Sequence, residues 1–326
     1  MTRLACLALL LTAACGSNLH LASTPWPPFV DEPGEPRIAI EIVRRALVRS
    51  GRGAAQEIVP NGTLTGALRA GTYDGTAAIW RGEERERFLL YSRPYLENRI
   101  VLVGRAGSDV SAVSLSELAG KRIGIVEGYA YGEMVTEAQG PVLVEAETVT
   151  EHLQAIIDGE LDYALVDDLE VHHLFEEYRE QARGAFAVGT VPLARRTLHF
   201  AVRRDLADAE RIVADFNRAV LEMLGDGTYN EVLGLLWIRT DVDQDGRYEL
   251  VFGGDRAGEA PPEDSYDLML EEGPTERPRE PERFRVNGQN YDRWDDIPEE
   301  YRTPGEDQVP GRFRSAQPSP IRVLEF

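Results

Sequence analysis

The sequence predicts an α/β protein whose parallel-rich sheets carry helices on both faces. One observation predicts it, and a second bounds where it ends. Between residues 19 and 238, short apolar runs of strand length alternate with longer segments whose apolar residues recur at helical spacing. After about residue 255 the composition changes, and ten of the nineteen prolines follow residue 254, mixed with Glu, Arg and Asp. Residues 19–23 alternate apolar and polar and read as a first or edge strand. Pro25, Pro27 and Pro28 around Trp26 and Phe29 predict a stiff extended loop, because each proline fixes φ and disfavours helix in the residue before it. Ile38, Ile42, Ala46 and Leu47 set a helix over 36–49, closed by Gly51 and Gly53. A strand at 57–59, a helix over 64–70 and a strand at 74–79 follow. Beyond residue 100 the alternation continues: strand 99–103, short helix 115–118, buried strand 122–126, helix 149–157, strand 163–166, helix 169–182, strand 197–202 and a long amphipathic helix over 207–224.

The amino terminus predicts export. Arg3 precedes an apolar run over 4–11, shorter than the roughly 20 residues a membrane span needs but suited to a signal peptide. Thr12-Ala13-Ala14-Cys15-Gly16 resembles the lipobox of bacterial lipoproteins, with Thr12 where leucine is usual. The expectation is a signal peptide over 1–14 and a lipid on Cys15, anchoring the chain to a bacterial membrane. Cys6 lies in the segment to be removed. The remaining single cysteine excludes an internal disulfide and any metal cluster built on thiolates. A net charge of −21 argues against a nucleic-acid partner, for which a basic stripe is expected.

Six motifs between Trp26 and Trp237 stand in a telling order: Trp26-Pro27-Pro28-Phe29, Gly71-Thr72-Tyr73-Asp74, Glu84-Arg85 with Tyr91-Ser92-Arg93-Pro94-Tyr95, Leu118 to Val126, Asp162 to Asp167, and Asp226-Gly227-Thr228-Tyr229 through Trp237. Together they resemble the bacterial extracellular solute-binding proteins of the amino-acid type, over about two thirds of the chain. The resemblance implies the two-lobed type II periplasmic binding fold, with lobe one formed by 19–102 and 201–238 and lobe two by 103–200. It implies a small polar solute held between the lobes for an ABC permease or a sensor, and no enzymatic activity. It places Arg85 on the solute carboxylate, where a guanidinium offers two parallel donors, and Asp167 on its ammonium. Asp167 read by itself is equally a helix N-cap, and Arg85 a surface arginine. Gly82 and Tyr129 stand where the family has threonines, and the segment before Arg85 is one residue short. Trp80 and Tyr129 therefore add bulk to the expected cleft, and Trp26 is a candidate stacking residue.

Asp241-Val242-Asp243-Gln244-Asp245-Gly246-Arg247-Tyr248-Glu249 is the most specific short motif. Carboxylates at alternate positions, a glycine for the sharp turn and the Arg247 carbonyl would wrap oxygens around a hard cation. Phe252 stands where an EF-hand has its glutamate, and the loop resembles the calcium loops of dockerins and integrin-type propellers. A structural Ca²⁺ on Asp241, Asp243, Asp245, Arg247 and Glu249 is expected, with mutual repulsion of the acids as the reason; a solvated acidic turn is the alternative. Residues 239–254 form this loop and a strand, and 255–326 a Pro- and acid-rich tail, disordered by composition. Within the tail Asn287-Gly288 signals a hairpin, and a small ordered motif is expected at 283–302. Two rival functions stay open: a surface scaffold whose cleft has degenerated, and a periplasmic dehydratase using Glu127, Glu133 or Glu83.

Overall fold

The computed structural model describes residues 18–35, 37–60, 62–127, 131, 133–177, 184–254, 265–268 and 283–302. Cys15, the signal segment, Tyr129 and most of the tail lie outside the described residues. Ten strands form one curled mixed sheet: β1 (Leu19–Ser23), β2 (Ala54–Ile58), β3 (Gly75–Ile79), β4 (Leu89–Tyr91), β5 (Leu96–Arg105), β6 (Arg122–Val126), β7 (Val142–Ala146), β8 (Tyr163–Asp167), β9 (Phe186–Val188) and β10 (Ala194–Arg203). Its main order is β2-β1-β3-β10-β5-β8-β6-β7, with β4 on β10 and β9 on β5. The fold is the two-lobed α/β architecture of periplasmic binding proteins.

Each lobe is built on parallel pairs, β1 with β2 and β3 in one and β6 with β7 and β8 in the other. The centre departs from the uniformly parallel arrangement that strand–helix alternation implies: β3–β10, β10–β5 and β5–β8 are all antiparallel. β5 and β10 are ten residues each, twice the length of β1 or β6, because each serves both lobes. Residues 96–100 of β5 pair with β10, and 100–104 pair with β8.

The first lobe packs helix Ile38–Arg49 against helix Ala209–Gly225, whose buried positions 209, 212, 213, 216, 219, 220, 223 and 224 keep the helical period. At its centre Phe216 lies 4.6 Å from Phe200 and edge-on to Tyr95. The Tyr95 hydroxyl donates to the Ala77 carbonyl at 2.9 Å, so this buried phenol is satisfied. In the second lobe the sheet divides two apolar layers, Ile100, Leu102, Ile123 and Leu165 on one face and Val101, Val103, Ala164 and Val166 on the other. A Cβ on Gly124 would meet His152 Nδ1 at 2.5 Å, so helix Val149–Asp158 reaches the sheet only because that residue is glycine.

The proline loop is not extended. Trp26 and Val30 exchange both backbone hydrogen bonds at 2.8 Å, turning the chain back on itself and burying Phe29.

A second sheet follows, of β11 (Trp237–Thr240), β12 (Glu249–Phe252), β13 (Tyr266–Asp267), β14 (Arg283–Val286) and β15 (Gln289–Tyr291), in the order β13-β11-β12-β14-β15. The acidic motif is the turn between β11 and β12. Asn287 and Gly288 both take positive φ, 49° and 71°, at the β14–β15 turn, the conformation an Asn-Gly pair adopts at least cost. Residues 283–302 thus belong to this sheet, where Trp294 packs on Trp237 and Phe284. Tyr266 ties the sheet to the lobes: its hydroxyl donates to the Glu97 carbonyl at 2.7 Å, and the Arg99 guanidinium lies 4.4 Å over its ring.

Candidate functional site

Residues opposite each other in an antiparallel pair share a face, and every second residue returns to it. Arg196 faces Asn98, Ala194 faces Ile100, and Ile100 faces Asp167. All five therefore emerge on one side of β10, β5 and β8. Over that floor lies a small cleft lined by Trp26, Trp80, Ile100, Tyr131, Asp167, Ala194 and Arg196. Trp26 and Trp80 come from the first lobe and Tyr131 from the second.

The tryptophans meet edge to face at 5.1 Å, and Trp26 is braced from behind by Phe29 at 5.3 Å. Trp80 Nε1 donates to Asn98 Oδ1 at 3.0 Å, and Asn98 Nδ2 donates to Asp167 Oδ2 at 3.1 Å. Asn98 thus fixes an aromatic wall and an acid at once. Asp167 Oδ1 accepts from the Leu169 amide at 2.9 Å, so this residue also caps helix Asp168–Glu177. Burial raises its pKa to about 7 against the pull of those two donors. The Glu170 carboxyl is pushed well up too, by burial first and the nearby Asp167 second.

Of the residues the sequence singles out, Trp26, Trp80 and Asp167 come together in this cleft. Arg85 is not among its lining. It stands half-buried on the one-turn helix Glu83–Glu86, its guanidinium folded over Gly82, where a Cβ would lie 3.2 Å from Nη2. The arginine thus fills space that the threonine side chain of the family pattern would take. Sequence reasoning did not single out Ile100, Ala194 or Arg196 of this lining, and Arg196 is the charged one among them. The predicted strand begins at 197, one residue after it, and only the alternation of Ala194, Arg196 and Leu198 marks its face. Its guanidinium lies 5.6 Å from the Trp80 ring centre.

The acidic loop is bonded throughout. Asp241 accepts from the Asp245 and Gly246 amides at 3.1 and 2.8 Å, and Asp245 accepts from the Arg247 amide at 2.9 Å. Carboxylate oxygens of Asp241, Asp245 and Glu249 lie within 4.8 Å of one another. Repulsion among these acids nonetheless has an answer inside the chain. The Arg283 guanidinium on β14 bonds Glu249 and reaches Asp245 at 3.0 Å and Asp243 at 3.3 Å. Asp243 faces Arg285 and Asn290 besides, and the Arg247 side chain pairs with Asp292 at 3.6 Å. Glu249 is fully buried, and its second oxygen accepts from the Val242 amide at 2.9 Å.

Residues 20–234 match the family described as bacterial extracellular solute-binding proteins, family 3. The amino-acid-binding protein AabA of Dichelobacter nodosus is 25% identical over 239 residues, 67% of this chain and 90% of that protein. Among solved structures, an ancestral arginine-binding protein bound to arginine superposes with a TM-score of 0.51 at 23% identity, covering 67% of this chain and 97% of its own. The GluR0 ligand-binding core with L-glutamate gives 0.54 at 14% identity over 66% and 96%. The L-cystine solute receptor of Neisseria gonorrhoeae, unliganded and open, gives 0.51 at 20% identity over 66% and 91%.

Two outcomes are expected from this geometry. Between its unfolded pKa of 3.8 and its folded value of about 7, Asp167 holds a proton in the native state that the unfolded chain releases. Stability therefore falls as pH rises across that window, by on the order of 4 kcal/mol from this group. Urea unfolding at several pH values should show that component absent in Asp167→Asn, and equal slopes in both proteins would refute it. Arg283→Ala strands the buried Glu249 carboxylate and should cost roughly 3 kcal/mol. The double variant with Glu249→Gln should cost less than the sum of the singles.

Proposed function

Because the chain belongs to the bacterial extracellular solute-binding proteins of family 3, and so acts outside the cytoplasm, we propose that it captures a small amino acid or related organic acid in the cleft over β5 and β10. It then hands the solute to an ABC permease or a sensor, with a lipid on Cys15 holding the chain at the membrane. The observation that carries this reading is Asp167, a buried carboxyl that lines an aromatic-walled cleft where the lobes meet. Ionised, it accepts an ammonium. Trp26 and Trp80 give the solute's carbon skeleton a rigid wall. Tyr129, where the family resemblance has a threonine, adds bulk to the cleft in this reading. Arg85 is the carboxylate partner the family resemblance assigns, and it reaches the solute only if its guanidinium leaves Gly82.

The test is a thermal-shift screen of the mature chain against amino acids and small organic acids. A ligand at a hundred times its dissociation constant stabilises by about 2.7 kcal/mol, a rise of several degrees in Tm. At least one amino acid should produce it, and Asp167→Asn should abolish it. Silence across the panel would overturn the reading in favour of a scaffold.

The convergence of Asp241, Asp245 and Glu249 supports a second element, a structural Ca²⁺ held by these acids with Asp243 and the Arg247 carbonyl. Arg283 then gives way to the ion. Millimolar Ca²⁺ should raise Tm in the wild type and leave Asp241→Asn/Asp245→Asn unmoved; an unchanged wild type means that Arg283 alone neutralises the loop.

A further inference from the structure

The hinge strands carry five arginines, of which Arg105, at the exposed end of β5, does not line the cleft and three others are committed. Arg99 pairs with Asp168 and covers the Tyr266 ring. Arg195 reaches Glu97 at 3.5 Å on the reverse face. Arg203 pairs with Asp205 at 3.3 Å. Arg196 differs. It is exposed, it lines the cleft, and among the described residues its guanidinium has no ion pair or hydrogen bond, only the Trp80 ring at 5.6 Å.

Trp80 is itself held by Asn98, the residue directly across from Arg196 in the β10–β5 pair. The ring is therefore a fixed rest for the guanidinium, and it leaves the planar fork of N–H donors unspent. A guanidinium so placed matches a carboxylate through two parallel hydrogen bonds. Stacking on an aromatic face also lowers the entropy lost when that fork is engaged.

The second half of the argument is spacing. Arg196 lies on β10 opposite Asn98 and Asp167 on β8 opposite Ile100, so their backbones stand about 12 Å apart, two strand spacings across and two residues along β5. Both side chains emerge on the same face. An α-amino acid would lie between the long arginine arm and the short aspartate arm, ammonium toward Asp167 and carboxylate toward Arg196. Ile100 and Ala194 lie beneath, and Trp26, Trp80 and Tyr131 stand around. Apart from Asn98, whose amide is engaged by Trp80 and Asp167, this floor is apolar between its two charged ends, which suits a zwitterion with an apolar or aromatic side chain.

We propose that Arg196, rather than Arg85, is the carboxylate anchor of the cleft, and that the ligand is an α-amino acid held between Arg196 and Asp167 across β5. The proposal rests on the solute-binding reading and makes it specific. Arg85, folded over Gly82, serves the local structure of its own turn. The consequence is a cleft whose two recognition groups both sit on the central strands, so a solute bridges the strands that cross between the lobes.

The test uses the mature chain and the twenty common amino acids as probes. Isothermal titration on each amino acid that binds the wild type is repeated with Arg196→Ala, Arg196→Lys and Arg85→Ala, and with the primary amide of the same amino acid. Arg196→Ala should weaken binding a hundredfold or more. Arg196→Lys should restore only part of it, because a point charge cannot engage the carboxylate through two donors. Arg85→Ala should stay within about threefold of wild type. The amide should bind wild type and Arg196→Ala almost equally, an outcome that lost packing alone would not give. Wild-type affinity in Arg196→Ala, or loss in Arg85→Ala with Arg196→Ala intact, overturns the assignment while the solute-binding reading stands. No amino acid binding to the wild type overturns both.

Discussion

The antiparallel pairing of β5 with β10 is the constraint on which the rest depends. These two strands run through both lobes, and their register decides which side chains face the cleft and which face the appended sheet. On one side stand Asn98, Ile100, Ala194 and Arg196. On the other stand Glu97, Arg99 and Arg195, met by Tyr266 from the second sheet. A slip of one residue would exchange the two sets and put acids and arginines meant for the reverse side into the cleft. The buried positions along β5, nine of ten described as buried or half-buried, hold that register. The candidate cleft and the appended sheet thus share one structural element.

Acid–guanidinium chemistry is used three ways in this strongly acidic chain. At the loop between β11 and β12, Arg283 gathers Glu249, Asp245 and Asp243 and thereby docks β14 onto β12. Buried pairs of this sort add little net stability over an apolar substitute but penalise any docking that leaves one partner alone; here that fixes where the 283–302 segment goes. At the hinge, Arg99 and Asp168 do the same for helix Asp168–Glu177 against β5. In the cleft the two kinds of group are kept apart, Asp167 beside Asn98 and Arg196 on Trp80. Separation keeps both available, whereas direct pairing would have spent them on each other.

Asp167 carries two duties whose demands conflict. Its bond to the Leu169 amide favours the charged form, as at any helix N-terminus. Burial among Ile100, Tyr131 and the tryptophans favours the neutral form, and burial wins, bringing the group near neutrality. A carboxyl in that condition would be drawn toward its ionised form by a cation placed beside it.

The sequence by itself determined the architecture and pointed to three residues that line the candidate cleft. Alternation of strand and helix patterns gave an α/β protein, and the six ordered motifs implied the two-lobed fold, because both are local signals repeated along the chain. Trp26, Trp80 and Asp167 were legible for the same reason: each stands in a motif or beside a departure from one. Asn287-Gly288 was legible because turn chemistry is written in two residues. Tertiary structure alone decided the rest. Arg196 in the sequence is one arginine in a run of polar residues, and only the pairing of β10 with β5 turns it toward the cleft. Arg85 fits its motif, yet the missing side chain at Gly82 lets its guanidinium fold back, a consequence of packing that no spacing records. The repulsion in the acidic loop is local and visible, whereas its remedy, Arg283, arrives from 34 residues beyond Glu249. Charge pairing across such distances belongs to the fold, since side chains far apart in sequence meet only where strand register brings them.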